Sequence, residues 1–152
     1  MFSQGTWTQK TALPVSGIVR GGAVAFSINT KGYVATGTDK YPGDNVYNDF
    51  WEWDQGNNTW SQKANFPGNA RGYAAGFSIG TKGYLGTGKD VQFTSYYQDF
   101  WEWNQISNVW TQKANFGGGI RWGAVGFSIG TKGYISMGIG SFGKTKDLWE
   151  YN

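Results

Sequence analysis

Three near-copies of one unit of about 50 residues make up the sequence. Three blocks recur in the same order: W-[ST]-Q-K, a longer block that ends in S-I-x-T-K-G-Y, and D-[FL]-W-E-[WY]. They begin at Trp7, Trp60 and Trp110, at Arg20, Arg71 and Arg121, and at Asp49, Asp99 and Asp147. The segment ahead of the third block has a different length in each unit. A fixed period of this kind is typical of one structural unit repeated along a chain, here with one variable loop.

The residue pattern of each unit predicts four short strands and no helix. In the first unit, residues 23–28 are small and apolar, and a Lys-Gly pair marks a tight hairpin before a second strand at residues 32–37. Residues 50–53 form the third predicted strand, and a turn-rich segment separates it from the fourth, at residues 60–63. No stretch has an apolar period of 3.6 residues. The chain is therefore expected to be all-β.

The units resemble the kelch motif, in which a blade carries a Gly pair, then a Tyr and, seven residues later, a Trp. The second Gly of the pair is kept in each unit, as Gly37, Gly88 and Gly138. The Tyr position holds Trp53, Trp103 and Tyr151, and the later Trp is Trp60 or Trp110. The resemblance extends to kelch repeats of bacterial secreted or surface proteins. It implies one domain with three four-stranded antiparallel propeller blades, at approximately residues 7–59, 60–109 and 110–152.

The order of the strands predicts that a ring closes between two chains. With strands named a to d from the axis outward, the sequence begins with a d strand at Trp7 and stops at Asn152, after a c strand. Three blades do not close a ring, because propellers have about four to eight blades. The commonest assembly that could complete the ring is a two-fold homodimer. We therefore expect a homodimeric six-bladed propeller with exchanged end strands. Its interface residues are Thr6, Trp7, Thr8, Gln9, Lys10, Leu148, Trp149, Glu150 and Tyr151.

Other states stay open on the sequence alone. A trimer would have nine blades, outside the usual range. A fragment of a longer propeller would expose two apolar flanks and associate only loosely. The close similarity of the three copies also fits a truncated or engineered half-propeller.

The composition excludes several classes of function. Neither His nor Cys occurs, which rules out Ser-His-Asp triads, thiol nucleophiles and His- or Cys-ligated metals. The copper site of galactose oxidase-like kelch enzymes, which needs His, Tyr and Cys, is excluded for the same reason. No phosphate-binding G-x-x-x-x-G-K-[ST] loop is present. We expect no catalytic residues, metal or cofactor, and a carboxylate-dependent sugar-processing enzyme is the less favoured hypothesis.

Charge and hydropathy bear on partners. The net charge is +3, and the basic residues recur singly along the chain, which argues against a nucleic-acid partner. No apolar stretch of about 18 residues occurs, so no membrane span is expected. The first residues lack the pattern of a signal peptide. The compartment stays open, and only the resemblance implies a secreted or cell-surface origin.

All three arginines share one repeat position, at the start of the first strand of each unit. One hypothesis is structural, with each guanidinium paired to a carboxylate or to loop carbonyls. The other is a site for an anion or an acidic glycan at the mouth of the ring. Its candidate residues are Arg20, Arg71, Arg121, Tyr41, Tyr47, Phe93, Tyr96 and Tyr97. The sequence thus favours a non-catalytic, self-assembling kelch module, and a propeller that binds glycans, anions or protein partners is the alternative.

Overall fold

The computed structural model of the chain describes residues 5–15, 19–39, 45–90, 92 and 94–152. The fold of these residues is all-β, with four antiparallel sheets and no helix. It follows that none of the described residues belongs to a helix that could cross a membrane.

The first two units form equivalent four-stranded sheets, each of which takes its fourth strand from the start of the next sequence repeat, and a unit from here on means such a sheet with its loops. The first contains β1 (Val24–Ile28), β2 (Lys31–Ala35), β3 (Phe50–Asp54) and β4 (Thr59–Gln62), in that spatial order. The second contains β5 (Ala75–Ile79), β6 (Lys82–Gly86), β7 (Phe100–Asn104) and β8 (Val109–Lys113). The pairing register is the same in both, since Phe26 opposes Tyr33 and Phe77 opposes Tyr84. The strands predicted for the first unit are found within one or two residues of their expected bounds.

The third unit differs in having three strands in its main sheet. These are β10 (Val125–Ile129), β11 (Lys132–Ser136) and β14 (Leu148–Tyr151), again in chain order. Among the described residues, no strand pairs with the outer edge of β14. The edge that β4 or β8 covers in the other units is therefore open here.

A small fourth sheet was not expected from the sequence. It joins β9 (Arg121–Trp122), β12 (Ile139–Gly140) and β13 (Gly143–Lys144). The first two units have the same pairing, reduced to isolated bridges: Gly21 to Thr38 to Val46, and Gly72 to Lys89 to Tyr96. In every unit the variable loop thus folds back onto the segment that carries the arginine.

The first strands of the three main sheets lie side by side. β1 contacts β5, and β5 contacts β10. Ser78 on β5 donates a hydrogen bond of 2.6 Å to the carbonyl oxygen of Ser27 on β1. Residues of all three strands line one groove of about 160 Å³. This arrangement is consistent with a β-propeller-like fold, in which inner strands surround a common axis.

The hydrophobic core lies between successive sheets. One cluster joins the first and second units and is centred on Tyr33, Phe50 and Trp103. The other joins the second and third units and includes Phe77, Phe100 and Ile135.

Two glycines show how closely the sheets interlock. The ring of Phe26 lies so near Gly83 that a Cβ there would overlap it, and Phe77 covers Gly133 in the same way. The first and second main sheets thus each insert one Phe ring against a glycine of the next sheet.

Candidate functional site

The three arginines have buried side chains and form ion pairs with half-buried or exposed aspartates of their own units. Arg71 donates to both carboxylate oxygens of Asp99, at 2.5 and 2.9 Å, and to the carbonyl oxygen of Thr87 at 2.9 Å. This bidentate geometry uses the planar fork of the guanidinium. The same contacts recur in the other units, between Arg20 and Asp49 with Thr36, and between Arg121 and Asp147 with Met137.

Aromatic side chains contact both members of each Arg–Asp pair. The indole of Trp101 donates to Asp99 at 2.8 Å. The ring centroid of Tyr97 lies 4.1 Å from the guanidinium carbon of Arg71. In the third unit, the hydrogen bonds from Arg121 hold the pKa of Asp147 well below its usual range. Each arginine therefore ties the segment ahead of the first strand to the residues that flank the variable loop at both ends.

This geometry bears on the anion hypothesis. The arginine side chains are 7%, 1% and 2% exposed in the three units, and each is bonded to a carboxylate of the chain. An external anion would have to displace that carboxylate. Anion binding by Arg20, Arg71 and Arg121 stays a prediction, and the contacts that are present are those of the structural hypothesis.

The loop aromatics of the candidate site do not form one cluster. Tyr47 stacks on Arg20 at 4.4 Å and donates a hydrogen bond to Asp39, whereas Tyr97 stacks on Arg71. Tyr96 is more exposed and lines a cavity of about 370 Å³ together with Ile120, Trp122, Ile139, Gly140 and Ser141. Tyr41 and Phe93 lie outside the described residues.

A buried lysine near this cavity escaped the sequence analysis. The Nζ atom of Lys89 lies 4.1 Å from the ring centroid of Trp122 and 5.0 Å from that of Tyr73. Burial lowers the pKa of Lys89. The signal was available in the repeat, because Thr38 and Ile139 replace this lysine in the other units. The cluster of Lys89, Trp122 and Tyr73 is therefore found at positions where the three repeats differ, and not at positions that they share.

The second candidate site is the open edge of the third unit. Leu148 and Trp149 on β14 are exposed. The face of β10 is exposed as well, at Val125, Phe127 and Ile129. The equivalent residues of β1 and β5 are buried or half-buried. This part of the surface is where a further unit would pack.

The N-terminal segment has the sequence of the missing strand. Residues 6–10 are exposed and belong to no strand, and Trp7 is fully exposed. The residue after this segment, Thr11, is held by the first unit. Its N–H donates to Asn58, and its carbonyl oxygen accepts the indole N–H of Trp60 at 2.9 Å.

The attachment of Thr11 has a counterpart between the first two units. Ala64, which follows β4, donates its N–H to Asn108 and accepts the indole N–H of Trp110 at 2.8 Å. Thr11 and Ala64 occupy the same repeat position. The first unit therefore holds the end of residues 6–10 as the second unit holds the end of β4.

Among the residues that the structure describes, one glutamate at the open edge lacks a contact that its counterparts have. Lys63 on the segment after β4 lies 3.2 Å from Glu52, and Lys113 on β8 lies 3.4 Å from Glu102. Glu150 contacts Lys132 and Tyr134 of its own sheet. The repeat position of Lys63 and Lys113 corresponds to Lys10.

Comparisons with known proteins bring no assignment. No protein-family model matches the chain, and no curated protein gives a significant match. Within the described residues, no group of three or more acidic side chains could hold a metal ion. The geometry of the two candidate sites is thus what bears on function.

Proposed function

We propose that the chain is a non-catalytic, kelch-type module that joins a second copy to form a closed six-bladed β-propeller. The observation that carries the proposal is the pair of complementary features described above. Within the described part of the chain, the main sheet of the third unit has no outer strand, and residues 6–10 carry the sequence of that strand while belonging to no sheet. Pairing these parts between two copies satisfies both.

The expected register follows from the other two units. Glu52 opposes Ser61 and Glu102 opposes Thr111. By the repeat, Glu150 of one copy opposes Thr8 of the other, and Tyr151 opposes Trp7. This pairing brings Lys10 next to Glu150, where Lys63 and Lys113 stand in the other units.

Closure by two copies agrees with the count of units. Three units per chain give six in a two-fold dimer, within the usual range of four to eight blades. The two contacts between copies, each formed by the third unit of one copy and residues 6–10 of the other, are identical, as a two-fold axis requires. Strand exchange also removes the exposed sheet edge, which is a common cause of aggregation.

Disulfide trapping tests the register, because the native chain has no Cys. Directly opposed residues in an antiparallel pair have Cα atoms about 4.5–5.5 Å apart, within the range that a disulfide spans. The double variant Thr8→Cys with Glu150→Cys should oxidise to a covalent two-chain species on a non-reducing gel.

The matched control is Gln9→Cys with Glu150→Cys. Residue 9 faces the opposite side of the strand, so this pair should remain uncrosslinked. A disulfide within one chain, or equal crosslinking of the two variants, would contradict the exchanged strand.

A second candidate function is binding of an acidic glycan or another anion at the loop face. The cavity beside Tyr96 favours it, since three of its lining residues, Tyr96, Trp122 and Ile139, differ from the residues at the same repeat positions in the other units. Calorimetry with an array of acidic oligosaccharides tests this function. Tyr96→Ala should lose a signal that the native chain gives, and absence of heat with the native chain at millimolar ligand would exclude it.

A further inference from the structure

A cavity of about 120 Å³ lies between the second and third units. It is lined mainly by apolar groups, among them Phe100, Ala114, Phe116, Trp149 and Tyr151. Phe100 is almost fully buried, whereas Trp149 is exposed at the open edge. Dry apolar cavities of about 150 Å³ accept a benzene-sized ring. This cavity is somewhat smaller than that and opens at the exposed edge, so its apolar lining suits part of an aromatic side chain that enters from outside.

The equivalent place between the first and second units is filled by Trp110. Its ring centroid lies 5.2 Å from that of Phe50, 5.4 Å from that of Phe66 and 6.4 Å from that of Trp103. Its indole N–H donates to the carbonyl oxygen of Ala64 at 2.8 Å. Trp110 lies on β8, the outer strand of its sheet, opposite Trp103.

Each group around Trp110 has a counterpart in the cavity. By the repeat, Phe100 corresponds to Phe50 and Phe116 to Phe66. Ala114 corresponds to Ala64, and Tyr151 to Trp103. The part without a counterpart among the described residues of this unit is the Trp of the outer strand. The repeat assigns that position to Trp7.

We propose that this cavity, the Trp socket, receives the indole of Trp7 from a second copy of the chain. The indole N–H donates there to the carbonyl oxygen of Ala114, as Trp110 donates to Ala64. This inference rests on the proposed function, and it names the anchor of that assembly. The chain's own Trp7 belongs to a segment that Thr11 ties to the first unit, so the second copy supplies the ring.

A Trp buried in an aromatic socket is the kind of residue that dominates an interface. Its ring makes a large apolar contact, and its N–H fixes orientation through one hydrogen bond. The strand pairing around it specifies register. The Trp socket therefore predicts a large, local dependence of assembly on one side chain.

The test compares three variants by the dissociation constant of the two-chain species. Trp7→Ala should raise that constant roughly thirtyfold or more. Trp7→Phe keeps a ring and loses the hydrogen bond, so it should raise the constant roughly two- to tenfold. The control is Phe142→Ala, because Phe142 is as exposed as Trp7 but lies away from the Trp socket. It should leave the constant unchanged.

A direct probe of occupancy is fluorine NMR with 5-fluorotryptophan. The Trp7 resonance is identified by its loss in Trp7→Phe, and a buried indole should show little shift between H₂O and D₂O. A full solvent shift in a two-chain species, or an unchanged dissociation constant for Trp7→Ala, would overturn the Trp socket and leave the assembly standing. A native chain that stays single at every concentration would overturn both.

Discussion

The second and third units have nearly the same sequence and different surroundings. Phe77 and Phe127 stack on Tyr84 and Tyr134 at the same ring distance, 5.2 Å. Phe77 is nevertheless 2% exposed and Phe127 is 40% exposed.

The two glutamates that hydrogen-bond to those tyrosines differ in the same way. The side chain of Glu102 is 11% exposed and that of Glu150 is 39% exposed. The strands and ring contacts within a unit thus form without a following unit. The burial of its Phe and Glu side chains depends on a neighbouring unit that packs against them.

The largest difference is expected between Phe77→Ala and Phe127→Ala. Removing a buried Phe costs about 3–5 kcal/mol of unfolding free energy. In a single chain Phe127→Ala should cost within about 0.5 kcal/mol, as for most surface changes. In the assembly Phe127 should be covered, and its loss should then approach that of Phe77.

Urea unfolding at low and high protein concentration measures both variants. The cost of Phe127→Ala should grow with protein concentration, while that of Phe77→Ala should stay large throughout. A Phe127→Ala variant that remains neutral when the protein is concentrated would mean that nothing packs on β10.

An intermediate difference is expected between Gly133→Ala and Gly32→Ala. A Cβ at Gly133 overlaps Phe77, whereas one at Gly32 meets only Trp53 at 3.7 Å, an ordinary contact. Overpacking of this kind costs about 1–3 kcal/mol. Gly133→Ala should therefore destabilise the single chain, and Gly32→Ala should not.

The assembly changes the expectation for Gly32. If Phe127 of a second copy covers it, as Phe77 covers Gly133, then Gly32→Ala should weaken the two-chain species in sedimentation experiments. Normal dissociation of Gly32→Ala would argue against the same interlock between copies.

The smallest effect concerns pH and Glu150. Hydrogen bonds from Lys132 and Tyr134 hold the pKa of Glu150 below its ordinary value. The stabilisation is therefore complete above that ordinary value, near 4.3, and is lost as the pH falls through the lower pKa of the folded state. In the assembly, Lys10 of a second copy would also contact ionised Glu150, so the stability of the two-chain species would depend on pH in the same direction.

Glu150→Gln isolates that contribution. Between pH 6 and pH 3, the dissociation constant of the native chain should rise roughly two- to fivefold more than that of Glu150→Gln, as for an exposed ion pair. Equal pH dependence in the two proteins would mean that no cation of a second copy faces Glu150.

The strands were predictable because their signals are local. The Lys-Gly hairpins and the turn-rich segments lie next to the residues that they connect, so β1 to β4 could be located from sequence. β9, β12 and β13 could not, since each has only two residues and β9 pairs with a strand that lies far from it along the chain.

The candidate site was less predictable than the strands. The sequence marked the arginines by their shared repeat position, and the structure adds the carboxylate partner of each, such as Asp99 at 2.5 Å from Arg71. Lys89 lies in a variable loop, where only tertiary contacts bring it to Trp122 and Tyr73.

The solution mass tests the central claim most directly. Light scattering coupled to size-exclusion chromatography gives it across a dilution series. The account predicts one sharp species at twice 16.8 kDa that persists on dilution. A single-chain mass at all concentrations, or a broad distribution of sizes, would contradict the closed two-chain propeller.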